Sequence, residues 1–489
     1  MTPPAEVHET HIGTVFLVGD RAYKMKKPVR TAFLDFSTPA LRLAACRREI
    51  ELNRRLAPDV YLGTSDLMPG SGDVGPVEHF VVMRRMPAQR CLAALIGAGE
   101  PVGDALRALA RQLAVFHAAA DRGPAVAADG TAAALRRRWV ANLAELAPFA
   151  GTVLDAAVLH AIEVAALRFV DGRGPLLADR LARSRIVDGH GDLVAADVFC
   201  LDDGPRALDC LEFDDHLRHV DGLDDVAFLA MDLEHLGRAD LATQFLDDYV
   251  EFSGDDAPTA LRHHFIAYRA VVRAKVACLR HAQGDAGAAE TAVAYAGLAL
   301  RHLQCGAVRL ALVGGLPGTG KTTLGGALAD RFGAVLISSD RLRKEVAGID
   351  PDTPATAAYG EGLYAPERID ATYAELLDRA ALLLGRGESV VLDASWTAQR
   401  HRDAAVELAH RTHSDLARLH CRATAETAGR RIAMRGHTAS DATTPIALAM
   451  AEVAQAWPEA VTVPTRGTIT ESVELASAVW RAAPAAARR

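Results

Sequence analysis

The stretch VRLALVGGLPGTGKTTL, residues 308–324, decides how the C-terminal part of the chain is read. It opens as an apolar strand, turns through glycines and runs into a helical pattern. Gly315–Thr322 fits G-x-x-x-x-G-K-[ST] in full. Glycines let the backbone curl so that successive N–H groups face a phosphate, and the N-terminus of the following helix adds a favourable dipole. In such a loop Lys321 reaches the β- and γ-phosphates of ATP, and the Thr322 hydroxyl holds Mg²⁺. Gly315, Gly318, Thr319, Gly320 and Thr323 complete the predicted nucleotide contacts.

Downstream the same grammar continues. VLISSD, ESVVLDASW and SDLARLHC are short apolar runs separated by helical patterns, which predicts an α/β unit with a parallel sheet covered by helices. Asp393 ends one run, where a carboxylate faces the crevice at the strands' C-terminal edge and is placed to hold the Mg²⁺ shell through water, with a cap on the next segment as the competing role. Asp340, 19 residues after Lys321, ends another. It is expected to orient or deprotonate an acceptor hydroxyl, with a helix cap as the competing or concurrent role. Arg431 and Arg435 lie four apart on one helical face, which suits a lid that clamps the transferring phosphate or, alternatively, a solvated arginine stripe. Arg343 is a further candidate for an acceptor's phosphate or carboxylate.

Through GGLPGTGKTT, LISSDRLRKEVAG, VVLDASW and RRIAMR, this part resembles P-loop kinases, in particular small kinases and the AAA/zeta-toxin-like group. That resemblance implies transfer of the ATP γ-phosphate to a small hydroxyl-bearing acceptor. It favours a kinase over a mechanical ring motor.

Upstream, VDGHGDLVAADVF at 187–199 places His190, Asp192 and Asp197 in a loop between short strands, and Asp209 follows 17 residues after Asp192. Phosphoryl transfer needs one carboxylate to accept the acceptor's proton and oxygen ligands to hold Mg²⁺. Asp192 suits the first task, Asp197 and Asp209 the second, and His190 braces the loop. The spacing resembles the aminoglycoside phosphotransferase family, a branch of the protein-kinase-like fold whose catalytic loop reads HGDxxxxN. Asp192 matches its catalytic aspartate and Asp209 its metal aspartate. Asp197 stands where the family has asparagine, adding negative charge and losing an amide donor.

The same resemblance assigns Lys24, in AYK, to the α/β-phosphates, and Glu49 to holding that lysine. Lys26 and Glu51 remain alternatives, and no G-x-G-x-x-G precedes the lysine. Glu212, Asp214, Asp215, Asp221, Asp224 and Asp225 form either an acidic wall for a cationic acceptor or a set of caps and a solvated loop. Over almost its whole length, through VFLVGDRAYKMKKPV, LNRRLAPDVYLG, DGHGDL and YRAVVRAK among others, the chain resembles a bacterial family that fuses these two kinds of domain.

Length and charge agree with that reading. A chain of 489 residues is too long for one ordinary core, and half its residues are hydrophobic. The expectation is a two-domain α+β and α/β protein. Residues 1–302 are read as a bilobal kinase-like domain, with its small lobe at about 1–87 and its large lobe at about 88–302. Residues 307–489 are read as the P-loop domain. A net charge of −8 gives no attraction to nucleic acid or anionic membrane. The seven cysteines lack CxxC pairs, which argues against a zinc knuckle or a disulfide framework. MTPPAEVHETH has no signal-peptide pattern and no apolar run reaches 18 residues, so a cytoplasmic location is expected.

Only six lysines accompany the many arginines: 24, 26, 27, 275, 321 and 344. The function expected is ATP- and Mg²⁺-dependent phosphoryl transfer to a small-molecule hydroxyl, with an amino sugar as candidate acceptor at the N-terminal site. Two other readings stay open. One has a single active domain beside a nucleotide sensor, and the other has a P-loop kinase acting on nucleic-acid ends or protein.

Overall fold

The computed structural model of the chain describes residues 6–9, 13–30, 35–68, 78–350, 353, 359–434 and 440–483. Contacts divide the chain into two compact units. The first comprises 1–163, 177–257 and 262–303, the second 164–176, 258–261 and 304–489.

The first unit begins with an antiparallel sheet of β1 (Glu6–Glu9), β2 (Gly13–Val18), β3 (Arg21–Lys26), β4 (Tyr61–Leu67) and β5 (Glu78–Arg84), in the order β1-β2-β3-β5-β4. β2 and β3 form a hairpin, with Val15 opposite Lys24 and the turn made at Gly19, whose φ of +59° suits glycine. β1 and β4 were not expected, since EVHE is exposed throughout and YLGTSDL is largely polar. Edge positions tolerate that composition. The helix Pro39–Asn53 starts on Thr38, whose hydroxyl accepts from the Leu41 amide, with proline in its first turn. Its Cys46 and Ile50 pack with Val60, Tyr61, Val81 and Leu208. Each such aliphatic side chain contributes about 1.5–3 kcal/mol of burial.

The rest of this unit is mainly helical. It includes the helices Gly103–Ala119 and Ala132–Leu146, whereas the helix Ala156–Gly172 divides at residue 164, beyond which it belongs to the second unit. Two strand pairs interrupt the helices: β6 (Ile186–Asp188) with β9 (His219–Asp221), and β7 (Val198–Leu201) with β8 (Gly204–Ala207). In RALDCLEF, residues 206–213, the strand β8 ends at Ala207. Asp209 adopts φ +63°, which ends the extended run and turns the chain into an irregular segment.

In the second unit a parallel sheet is ordered β11-β12-β10-β13-β14, from β10 (Arg309–Gly314), β11 (Val335–Ser338), β12 (Val390–Asp393), β13 (Asp415–Arg422) and β14 (Val461–Pro464). Every residue of β10 is buried, as a central strand covered on both faces requires. One face packs Ala311, Val313, Val391 and Leu419 against Leu324 and Leu328 of the helix Lys321–Phe332 and Trp480 of the helix Ile469–Arg481. Asp393 is level with Val313 on one side and Ser338 on the other, so three strands end together at the edge where the glycine loop begins. β14 was not expected. It is short, exposes Val461 and ends on proline, as an edge strand can. All seven cysteines are free. No helix among the described residues is long and apolar enough to cross a membrane.

Candidate active sites

In the second unit, the loop after β10 carries three glycines in the left-handed half of backbone space: Gly315, Gly318 and Gly320, at φ +144°, +79° and +87°. Gly320 is the N-cap of the helix Lys321–Phe332 and provides no side chain there, so the helix's first amides stay free to meet an anion. Thr319 closes the loop through its hydroxyl, which donates to Leu316 O at 2.7 Å. Lys321 is half-buried, while Thr323 is exposed on the helix surface.

Thr322 Oγ1 donates to Asp393 Oδ2 at 2.6 Å, joining loop and strand end. Asp393 is almost fully buried, and burial raises its carboxyl above the ordinary range while Lys321 and Thr322 pull it down. Its Oδ1 makes no well-formed hydrogen bond, although Ser338 stands near enough to lower the carboxyl slightly. A hydroxyl, a buried carboxylate and an unsatisfied oxygen are the hard ligands that Mg²⁺ takes.

Arg431 lies in the helix Ala425–Ala433 and rests on the loop from above. Its guanidinium donates to Thr465 O at 2.6 Å and to Gly318 O at 3.5 Å. Thr465 in turn donates from Oγ1 to Thr319 O at 2.6 Å. Thr465 thus clamps the phosphate loop, a role that no motif in the sequence announces. Arg435 lies outside the described residues. Asp340 stands in the first turn of the helix Ser339–Val346, two residues beyond the end of β11, and pairs with Arg343 at 3.1 Å. Its negative charge is felt by Asp393.

In the first unit, Lys24 Nζ meets Glu49 Oε1 at 2.9 Å and Asp209 Oδ1 at 2.5 Å. Lys26, two residues on along the same strand face, meets Glu49 Oε2 at 2.6 Å and also Glu212. Glu49 therefore serves both lysines, whereas Glu51 is exposed and pairs with Arg48. Lys26 is completely buried, while Lys24 keeps 14% of its side chain accessible and is the one that faces outward. Burial works against both ammoniums, yet the surrounding carboxylates hold them above their ordinary range.

The negative charge of Asp209 is felt by both Asp192 and Asp197, and that of Asp192 by Asp197. Burial, moderated by Arg273, pushes the Asp192 carboxyl up to about 6. Burial and the negative charges of Asp209 and Asp192 push Asp197 well above the carboxylate range. Asp209, with its side chain half exposed, is held below that range by Lys24 against partial desolvation. Such a crowd of like charges suits a divalent cation. Their ligand atoms are not drawn into one cluster: among the described residues, the group with three donor atoms mutually within 4.8 Å is Asp129, His216 and His219.

The loop carrying Asp192 is gripped along its backbone. Asp225 accepts from the amides of His190 at 2.7 Å and Gly191 at 2.8 Å, and His117 Nε2 lies 3.0 Å from the same carboxylate. Burial would raise Asp225, but these hydrogen bonds hold it far below the usual range. Arg55 donates to the carbonyls of Asp188 and Gly189, and Arg269 to that of Gly191. His190 is buried and kept neutral, its Nε2–H donating to Leu208 O at 3.0 Å. That geometry braces the loop.

The acidic residues past Asp209 do not form a wall of free charge. Glu212 is paired with Lys26, Asp215 with Arg218 and Arg48, Asp221 with Arg180, and Asp224 with Arg269. Asp214 caps a short turn. Each carboxylate is answered inside the unit by a partner or a backbone amide.

The sequence is 47% identical over 481 residues to a Mycobacterium tuberculosis protein, "Uncharacterized protein Rv2004c", covering 98% of this chain and 96% of that one. The chain belongs to that protein's family. Residues 310–456 match the AAA domain family, a span that holds the phosphate loop, Asp340, Asp393 and Arg431. A sugar kinase from Janibacter sp. HTCC2649 aligns over 37% of this chain and 99% of its own, with 21% identity and a TM-score of 0.29. A choline/ethanolamine kinase family protein from Mesorhizobium loti aligns over 62% and 92%, with 14% identity and a TM-score of 0.38.

Proposed function

We propose that the chain is an ATP-dependent phosphotransferase built of two kinase modules, residues 1–302 and 307–489, each acting on the hydroxyl of a small molecule. The observation that carries this reading is the join between Thr322 and buried Asp393 at the mouth of the glycine loop, with Arg431 seated on Gly318. In the C-terminal module the loop amides and Lys321 bind and orient the phosphates, and Arg431 neutralises charge as it moves to the acceptor oxygen. Asp340 orients the acceptor hydroxyl. Thr322 and Asp393 would hold Mg²⁺, which when bound neutralises phosphate charge.

In the N-terminal module Lys24, fixed by Glu49, takes the α/β-phosphates. Asp192 accepts the acceptor's proton, and Asp197 and Asp209 would hold Mg²⁺. Catalysis in both modules is positioning and charge neutralisation. An amino sugar as the N-terminal acceptor rests on the resemblance to aminoglycoside phosphotransferases, because the carboxylates expected to attract it are paired internally.

A second reading, in which the N-terminal module binds nucleotide without turnover, is favoured by Asp197. There a carboxyl pushed upward by burial and by its acidic neighbours replaces a neutral amide. Transfer from radiolabelled ATP to a metabolite library, with Asp192→Asn, Lys321→Ala and the double variant, tests both. Each single change is expected to remove one set of products by a factor on the order of 10²–10³, and the double change to remove all. Lys321→Ala alone abolishing every product would establish the second reading. Parent-like transfer by all three variants would sink the assignment.

A further inference from the structure

We propose that Asp129, His216 and His219 form a binding site for one divalent transition-metal ion, best matched by Zn²⁺. The site lies outside both constellations above and stands whether or not either module transfers phosphate. Nδ1 of His216 and Nδ1 of His219 lie 2.7 and 2.8 Å from the same oxygen, Asp129 Oδ2. The three donor atoms lie mutually within 4.8 Å.

Three separate elements bring them there. Asp129 ends the helix Pro124–Asp129, His216 sits in the turn Asp215–Leu217, and His219 opens β9. Two neutral imidazoles and a carboxylate, with a fourth position left to water, are a ligand set that Zn²⁺ favours. Tetrahedral Zn²⁺ with bonds of about 2.0–2.1 Å keeps its ligands roughly 3.3 Å apart, so each imidazole needs to part from the Asp129 oxygen by only about half an ångström to admit it. The His219 and Asp129 side chains are mostly enclosed, at 11% and 17% exposure, and form a fixed floor. The His216 side chain is 77% exposed and provides an open mouth through which an ion and its water can exchange.

Occupancy would do something specific to the fold. The segment from Asp209 to Asp221 carries two of the ligands, and the helix ending at Asp129 carries the third. An ion would staple this segment to that helix beside β6, whose Asp188 is level with His219 and leads directly into the loop of Asp192. The role assigned to the metal is to fasten, with no part in the chemistry.

The test uses the full chain, stripped with chelator and titrated at mildly alkaline pH in excess Mg²⁺, so that hard-oxygen sites are already filled. Calorimetry with Zn²⁺ and visible absorption with Co²⁺ are the readouts. The parent is expected to bind one equivalent and to melt at higher temperature with Zn²⁺. His216→Ala, at an exposed side chain that the fold does not need, should weaken binding at least tenfold and lose the Zn²⁺-dependent rise in melting temperature. Asp129→Asn should do the same. No stoichiometric binding by the parent would overturn the site. So would parent-like binding by both variants, or a Co²⁺–thiolate charge-transfer band placing the ion on cysteine.

Discussion

Asp192 carries opposite consequences for activity and for stability. Its carboxyl is pushed up to about 6 by burial, so a base at this position loses its charge in mildly acid solution. In the Lys321→Ala background, where only the N-terminal module would report, transfer should fall about tenfold per pH unit below pH 6. A flat profile down to pH 4.5 would remove Asp192 from the role of base. For stability the sign reverses: the folded-state value lies above the unfolded one, so ionised Asp192 costs the fold free energy at neutral pH. That cost fades as pH falls through about 6 towards 4. Asp192→Asn should therefore be more stable than the parent at pH 7, by about 1–3 kcal/mol, with the difference closing at pH 4.

The two lysines on β3 separate in the same way. Lys26→Met leaves buried Glu49 with one of its two lysines and takes from buried Glu212 the lysine it pairs with, and should cost about 3–5 kcal/mol. Lys24→Met, at the side chain that keeps an opening to solvent, should cost less stability and more activity. Thermal melts that rank the two variants the other way would contradict this division.

At the scale of the element, the phosphate loop is a piece of backbone that excludes side chains. A Cβ at Gly318 would stand 2.5 Å from the carbonyl oxygen of Ala428. The backbone there is left-handed, which costs an L-residue about 1–2 kcal/mol before any collision. Neither obstacle can be relieved by turning a side chain, so Gly318→Ala should push the loop away from the helix that carries Arg431. Affinity for a fluorescent ATP analogue should then drop at least tenfold. Gly326, in the middle of the next helix with nothing within 4 Å of its would-be Cβ, is the matched control. Gly326→Ala should leave affinity unchanged and add about 0.5–1 kcal/mol of stability. Equal affinities for the two alanine variants would mean that the loop does not bind phosphate in this conformation.

Across the whole molecule, what sequence reveals depends on how far apart the partners lie in it. The loop at Gly315–Thr322 is legible because its chemistry depends on the spacing of adjacent residues, and Asp393 because a strand's apolar run ends on it. The pairing of Lys24 with Glu49 could be anticipated, but the resemblance left Lys26 and Glu51 as alternatives. Only the packing of the helix Pro39–Asn53 on β5 shows that Glu49 takes both lysines and Glu51 neither. The acidic residues after Asp209 were illegible for a related reason. Asp221 is answered by Arg180, 41 residues before it, and Asp224 by Arg269, 45 residues after it. No local pattern distinguishes such carboxylates from solvated ones. Thr465 is the extreme case, a lone threonine that reaches back 146 residues to clamp the phosphate loop. The edge strands β1, β4 and β14 escaped because edges need no apolar alternation.

The placement of the six lysines has one further result. Lys26 and Lys344 are buried, and Lys24, Lys27, Lys275 and Lys321 are all partly covered, so the chain's exposed cations are arginines. Amine-directed chemistry, whether a crosslinker, an acetyl donor or a lysine-specific protease, therefore finds almost no purchase on the folded surface. The amines it does reach include Lys24 and Lys321, the two that the proposed function assigns to phosphate.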